Sequence, residues 1–281
     1  MKKLQMGMVF LLVILSACVH TDSNKLLAGA HYVNMGSSFA AGVGIRPVRS
    51  QAAERCGQSE ANYASLVANI LHLSLEDRSC SGATSSHLLK PWNELPPQIE
   101  AVNSKTRLVT ITVGGNDLGY VRNLFAASCD EDNGFNIQGR KIPCFKERLP
   151  SEADYLNLEN NMNEIARQIA TRAPQATTIF VQYVTLIPKV QCAATGLTED
   201  EAARLSLIAK RLSEITTAAA EKNGAKVLRI DTLSKDHTAC DNEPWSTGIF
   251  QQNDNPQEVP WHPNRRGHEV IAEKLQQMLG Q

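Results

Sequence analysis

The sequence predicts an α/β fold: a three-layer α/β/α sandwich around a central parallel sheet. Three observations carry this reading. Short β-branched runs alternate along the chain with longer segments of helical apolar spacing. Among the strand candidates, "RLVTITVGG" is rich in β-branched residues, as expected for a central strand covered on both faces. The first and most β-branched of them end in glycine, where a strand gives way to a loop.

Taken in order, "HYVNMG" (31–36) reads as a buried strand ending at Gly36, and "ANYASLVANILHL" (61–73) as a helix with Leu66, Ile70 and Leu73 on one face. "RLVTITVGG" (107–115) is a central strand feeding a loop. "YLNLENNMNEIARQIATRA" (155–173) is an amphipathic helix stopped by Pro174, and "TTIFVQYV" (177–184) a further strand. "TEDEAARLSLIAKRLSEITTAAAEKNG" (198–224) opens on a capping-box pattern and closes at Asn-Gly. "AKVLRID" (225–231) is the last strand, and "NRRGHEVIAEKLQQML" (264–279) the closing helix. The stretch 122–150, with two cysteines and many polar residues, reads as an insertion, so residues 31–281 form one domain.

Composition narrows the function. With 281 residues and 42% apolar content the chain can bury a substantial core. A formal net charge of -1 lacks the basic footprint of a nucleic-acid binder. The start is distinct: "MKK" precedes the apolar run "MGMVFLLVIL" (6–15), of signal-peptide length and short for a bilayer span. It leads into "LSAC" (15–18), which resembles a bacterial lipobox. That reading makes 1–17 a lipoprotein signal peptide, Cys18 the lipidated residue and 18–30 a tether, with the protein exported to the cell envelope. Without Cys18, six cysteines remain, an even set that in an exported chain is more consistent with bridges than with free thiols. Six allow fifteen pairings; loop closure favours the neighbours Cys56–Cys80, Cys129–Cys144 and Cys192–Cys240. No CxxC or HExxH spacing points to a metal.

In a parallel sheet, ligands sit beyond the carboxyl ends of the strands. Two polar clusters fall there: Ser37-Ser38 just past the first strand, and Gly114-Gly115-Asn116-Asp117 just past the central one. A serine nucleophile needs a base within hydrogen-bond reach and donors aimed at the developing oxyanion. Of the seven histidines, His20 lies in the tether, His31 opens a strand and His72 lies in a helix. His262, in "VPWHPNRRGH", stands in a turn immediately before the last helix and can project at the sheet's end.

The blocks "GSSFAAG" (36–42), "SGATS" (81–85), "GGND" (114–117) and "WHPNRRGH" (261–268) resemble, in order and spacing, those of the SGNH/GDSL-type serine hydrolases, over roughly residues 31 to 280. The resemblance implies a flavodoxin-like sheet, a serine esterase or lipase, and no metal or organic cofactor. It makes Ser38 the nucleophile and His262 the general base. The oxyanion donors become the Ser38 and Gly82 N–H groups and the Asn116 side-chain amide. A glycine suits that task because its backbone can approach the substrate closely, and an amide because it donates without charge.

Two positions depart from the pattern. Ser37 replaces an aspartate, which bears on loop geometry. Val259 occupies the place, three before the histidine, where an acid usually stands. Some disulfide-bearing relatives use a main-chain carbonyl there, so the expectation is a Ser38–His262 dyad oriented by the Val259 carbonyl, with Glu258 or Asp254 as carboxylate alternatives. Asp117 reads as a turn or capping residue, His268 as a helix-face residue, and Ser81 and Thr84 as shaping the glycine loop. Trp261 either lines an acyl pocket or packs. The substrate is an acyl or lipid ester; a glycan O-acetyl ester fits the family equally well. A non-catalytic surface binding protein on the same scaffold would be marked by loss of Ser38, Asn116 or His262, and all three are present. No oligomer is implied.

Overall fold

The computed structural model describes residues 26–129, 134–137, 140–250 and 258–280. The expected signal peptide, Cys18 and Asp254 lie outside these residues.

A five-stranded parallel sheet forms the centre. Strand β1 (His31–Gly36) runs into a single helical turn, α1 (Ser38–Ala41), followed by helix α2 (Tyr63–Leu71), strand β2 (Ser74–Asp77) and the short helix α3 (Ser85–Leu89). Strand β3 (Thr106–Thr112) leads to α4 (Tyr120–Ala127) and to a small antiparallel hairpin, β4 (Phe135–Ile137) and β5 (Arg140–Ile142). Then come α5 (Glu152–Arg172), β6 (Thr177–Val181), α6 (Glu199–Lys222), β7 (Lys226–Leu228), the turn α7 (Ile230–Leu233) and α8 (Arg265–Met278).

The sheet order is β2-β1-β3-β6-β7, so the chain reverses its direction of growth between β1 and β3. A doubly wound sheet opens a crevice at such a reversal. Val33 pairs with Val109, and Val109 with Thr178, which places the carboxyl ends of β1, β3 and β6 side by side. Strands β1 and β3 are both almost wholly buried, and the Val, Ile and Thr side chains of β3 suit a strand covered on both faces. Helix α2 packs against α8, and α5 against α6.

Local chemistry explains the helix boundaries. Thr198 and Glu201 form the expected capping box of α6, and Ser151 with Asp154 forms another on α5. Asn264 accepts the Gly267 N–H at 2.8 Å and starts α8. Three elements depart from the sequence reading. Strand β2, "SLED", is a half-buried edge strand with almost no apolar signal. The expected insertion, 122–150, takes in most of helix α4 as well as the hairpin. "AKVLRID" is strand only over Lys226–Leu228 before turning into α7.

The disulfides Cys56–Cys80, Cys129–Cys144 and Cys192–Cys240 all form. Bridges of this number belong to a chain that matures in an oxidising compartment.

Candidate active site

The site begins at the end of β1. Gly36 takes φ +137, and a Cβ there would lie 2.1 Å from the Thr112 carbonyl oxygen, so only glycine lets β1 approach β3 this closely. The Ser37 N–H donates to that carbonyl at 2.9 Å, and the chain then enters α1 with Ser38 as its first residue. The first N–H groups of a helix have no intrahelical acceptor, and Ser38 stands at that position in α1.

Gly82 is brought alongside by two restraints. The Cys80 N–H donates to the Gly36 carbonyl at 3.0 Å, and the Cys56–Cys80 bridge fixes the same loop to the segment after α1, where the Ser81 N–H finds the Cys56 carbonyl at 3.0 Å. Gly82 itself has φ +83, with the edge of Trp92 3.3 Å from where a Cβ would stand. Trp92 is held as a wall by His87, stacked at 4.3 Å, and by the Arg55 guanidinium, 4.0 Å from its ring centre.

From the β3 loop, Asn116 Nδ2 donates to the Ala83 carbonyl at 2.9 Å. A side-chain amide has two N–H groups, so one fixes the orientation while the other remains available. Asp117 faces elsewhere. Its carboxylate receives the Ser85 N–H at 2.9 Å and the Ser85 hydroxyl at 2.5 Å, capping α3; burial raises its pKa. His268 also lies off the site: Nδ1 accepts the Tyr63 N–H at 3.1 Å and the ring stacks on Tyr63, joining α8 to α2.

His262 Nε2 stands 2.8 Å from Ser38 Oγ, and its Nδ1 2.8 Å from the carbonyl oxygen of Pro260. A carbonyl only accepts, so Nδ1 carries the proton and Nε2 is the lone-pair nitrogen facing the serine hydroxyl. The orienting carbonyl is therefore that of Pro260, one residue later than expected. The Val259 carbonyl accepts the Thr247 hydroxyl at 2.8 Å, and the same hydroxyl receives the His262 N–H at 3.2 Å. The displacement arises at Trp261, whose φ of +58 turns the preceding carbonyl under the imidazole. Trp261 packs: it is fully buried, its indole N–H donating to Ser128 Oγ at 3.1 Å. No spacing rule announces a left-handed tryptophan, so neither Pro260 nor Thr247 was visible in the sequence. Glu258 is half-buried; burial raises its pKa, opposed by the backbone and charge of Arg265, which draw its carboxylate toward α8. His262 is only 7% exposed, and burial lowers its pKa to about 4 against the opposing pull of the Pro260 carbonyl.

The amino-acid sequence matches a known family. Residues 35–270 match the model of the GDSL-like lipase/acylhydrolase family. The chain belongs to that family. Among its relatives, "Lipase 2" of Streptomyces coelicolor is 29% identical over 94% of this chain and 90% of its own length. An "Esterase" of Streptomyces scabiei is 28% identical, with 88% and 86% covered. Among solved structures, an extracellular lipase from Streptomyces rimosus and a phospholipase A1 from Streptomyces albidoflavus share the fold. Each has a TM-score of 0.69 over 89% of this chain and 99% of its own, at 22% and 24% identity. This GDSL-like chain is a carboxylic ester hydrolase.

Proposed function

We propose that the chain hydrolyses acyl or lipid esters at the cell envelope through an acyl-enzyme on Ser38. His262 Nε2 removes the hydroxyl proton as Oγ attacks the ester carbonyl carbon. The negative charge gathers on the carbonyl oxygen, where the Ser38 and Gly82 N–H groups and the Asn116 amide receive it. Collapse expels the alkoxide, which takes the proton back from the imidazolium. Water then repeats the sequence, with His262 as base, and frees the acid. Donors of this type are each worth roughly 3–4 kcal/mol of barrier in serine hydrolases.

The observation that carries the reading is the 2.8 Å contact from Ser38 Oγ to a histidine whose tautomer is already set by a carbonyl on the other side. Orientation is the larger part of what a triad acid supplies, and a neutral dipole can do it; the imidazolium receives less charge stabilisation in return. Lipid or acyl esters are preferred over glycan acetates because curated relatives spanning nearly the whole chain are described as lipases and an esterase. Export is supported by the disulfides, and anchoring through Cys18 by the "LSAC" sequence alone.

Hydrolysis of p-nitrophenyl esters from two to sixteen carbons, with Ser38→Ala as control, tests the reaction. Turnover that survives in Ser38→Ala overturns the assignment; activity confined to the acetate favours the glycan esterase instead. Anchoring is tested separately, by whether Cys18→Ala moves the protein from the detergent phase to the aqueous phase.

A further inference from the structure

We propose that Tyr183 is a positioning residue, holding the Ser38 loop and the Asn116 loop in fixed register through hydrogen bonds to Ser37 and Gly115. The proposal rests on the catalytic reading above and concerns two residues, Ser37 and Tyr183, that the reaction does not otherwise use.

Tyr183 lies two residues beyond β6, beside the crevice, and is almost wholly buried. Its hydroxyl accepts the Gly115 N–H at 2.9 Å and lies 3.2 Å from Ser37 Oγ. Ser37 Oγ in turn donates to the Thr112 carbonyl at 3.4 Å. Only one proton order satisfies all three contacts. Gly115 donates to Tyr183, Tyr183 to Ser37 and Ser37 to Thr112. The chain of bonds therefore starts one residue before the oxyanion amide Asn116 and ends at the strand beside the nucleophile, passing through the residue just before Ser38. Burial pushes the phenol up to about 12, so it stays a neutral donor wherever the enzyme works.

The ring adds a second tie. A Cβ on Gly115 would stand 2.8 Å from the tyrosine ring and 2.9 Å from its oxygen, so the loop has been left bare at the point where Tyr183 enters. On its other side the ring packs on Phe39 at 4.3 Å, and Phe39 lies 4.9 Å from the imidazole of His262. One side chain thus touches the residues before and after the nucleophile and the residue before the oxyanion donor. Serine at position 37, where the family pattern has an aspartate, fits this seat: a small hydroxyl accepts from the phenol and donates onward, whereas a carboxylate could only accept.

The test is the kinetics of Tyr183→Phe, Ser37→Ala and the double variant on p-nitrophenyl butyrate. Tyr32→Phe serves as a control for stability, because it removes another buried phenol, 2.7 Å from Thr110 Oγ1 and near the far end of β1. Displacing a reacting group by about an ångström costs roughly 10²-fold in rate. Tyr183→Phe is therefore expected to lower kcat by roughly 10- to 100-fold with KM within about threefold, while Tyr32→Phe keeps kcat within about twofold at a similar loss in Tm. Because Ser37→Ala breaks the same bond, the double variant is expected to be no worse than the poorer single one. A folded Tyr183→Phe with wild-type kcat, or losses that multiply in the double variant, overturns the proposal while the catalytic reading stands. If Tyr183→Phe fails to fold, Ser37→Ala alone decides, since an unchanged kcat there is equally fatal. A wild-type chain inert toward the ester would overturn the catalytic reading and this proposal with it.

Discussion

Acidification is expected to silence this enzyme only near pH 4. The base must be neutral to accept the serine proton, so activity rises with pH through the pKa of His262 and levels off above it. Burial sets that pKa at about 4, and the Pro260 carbonyl raises it too little to offset desolvation. At pH 5 an ordinary histidine of pKa about 6.5 is roughly 3% neutral, whereas one of about 4 is roughly 90% neutral, a difference of about 30-fold in competent enzyme. The assay is kcat/KM for a soluble p-nitrophenyl ester, read at the nitrophenol isosbestic wavelength from pH 3.5 to 8, because this ratio reports the free enzyme. Stability falls in the same window and has to be separated. The folded pKa lies below the unfolded one, so the unfolded state binds more protons between about 4 and 6.5. His262 alone then removes roughly 3 kcal/mol of stability as pH falls through that range, and His268, lowered to about 3, acts in the same direction. Samples held at low pH and diluted back to pH 7 distinguish reversible titration from unfolding. An acid limb at 6.5 or above that is reversible in this way refutes the reasoning, because burial would then leave the charged imidazole unpenalised or a further group would offset the penalty.

Three further outcomes follow from the same geometry. Glu258→Gln is expected to keep kcat within about threefold, since the imidazole is oriented by Pro260; a fall approaching the roughly 10⁴-fold seen on neutralising a triad aspartate would reinstate the carboxylate. Asn116→Ala should lower kcat by roughly 10²–10³-fold with KM little changed, and a variant that instead raises KM at constant kcat would remove Asn116 from the oxyanion site. Replacing Cys56 and Cys80 by serine opens a loop of sequence separation 24 and should remove roughly 3 kcal/mol of stability in calorimetry. Because Gly82 lies two residues past the bridge, kcat should drop as well, and full activity in the folded serine variant would show that the glycine loop holds itself.

Much of this site could be read from the sequence because its parts have local signatures. Ser38 and Asn116 follow apolar strand runs, and His262 precedes a helix with an Asn cap, so each end of the chemistry is marked by an element boundary. The sheet order brings those boundaries together. What could not be read depends on geometry with no local signature. Strand β2 is polar because it is an edge, and its pairing with β1 comes from tertiary context. The orienting carbonyl was placed one residue early because side-chain spacing assumes a regular backbone path, and Trp261 departs from it. The link from Gly115 through Tyr183 to Ser37 spans 68 and 146 positions, beyond any pattern a single chain displays.

The Pro260 carbonyl has a consequence for how this enzyme can change under selection. Every amino acid carries a main-chain carbonyl, so no replacement of residue 260 deletes the acceptor as replacing an aspartate would. The weak point moves to the next position, where a buried tryptophan holds a left-handed conformation that β-branched side chains avoid. Mutational scanning of the turn should therefore find tolerance at 260 and intolerance at 261, the reverse of what a search for catalytic side chains would rank.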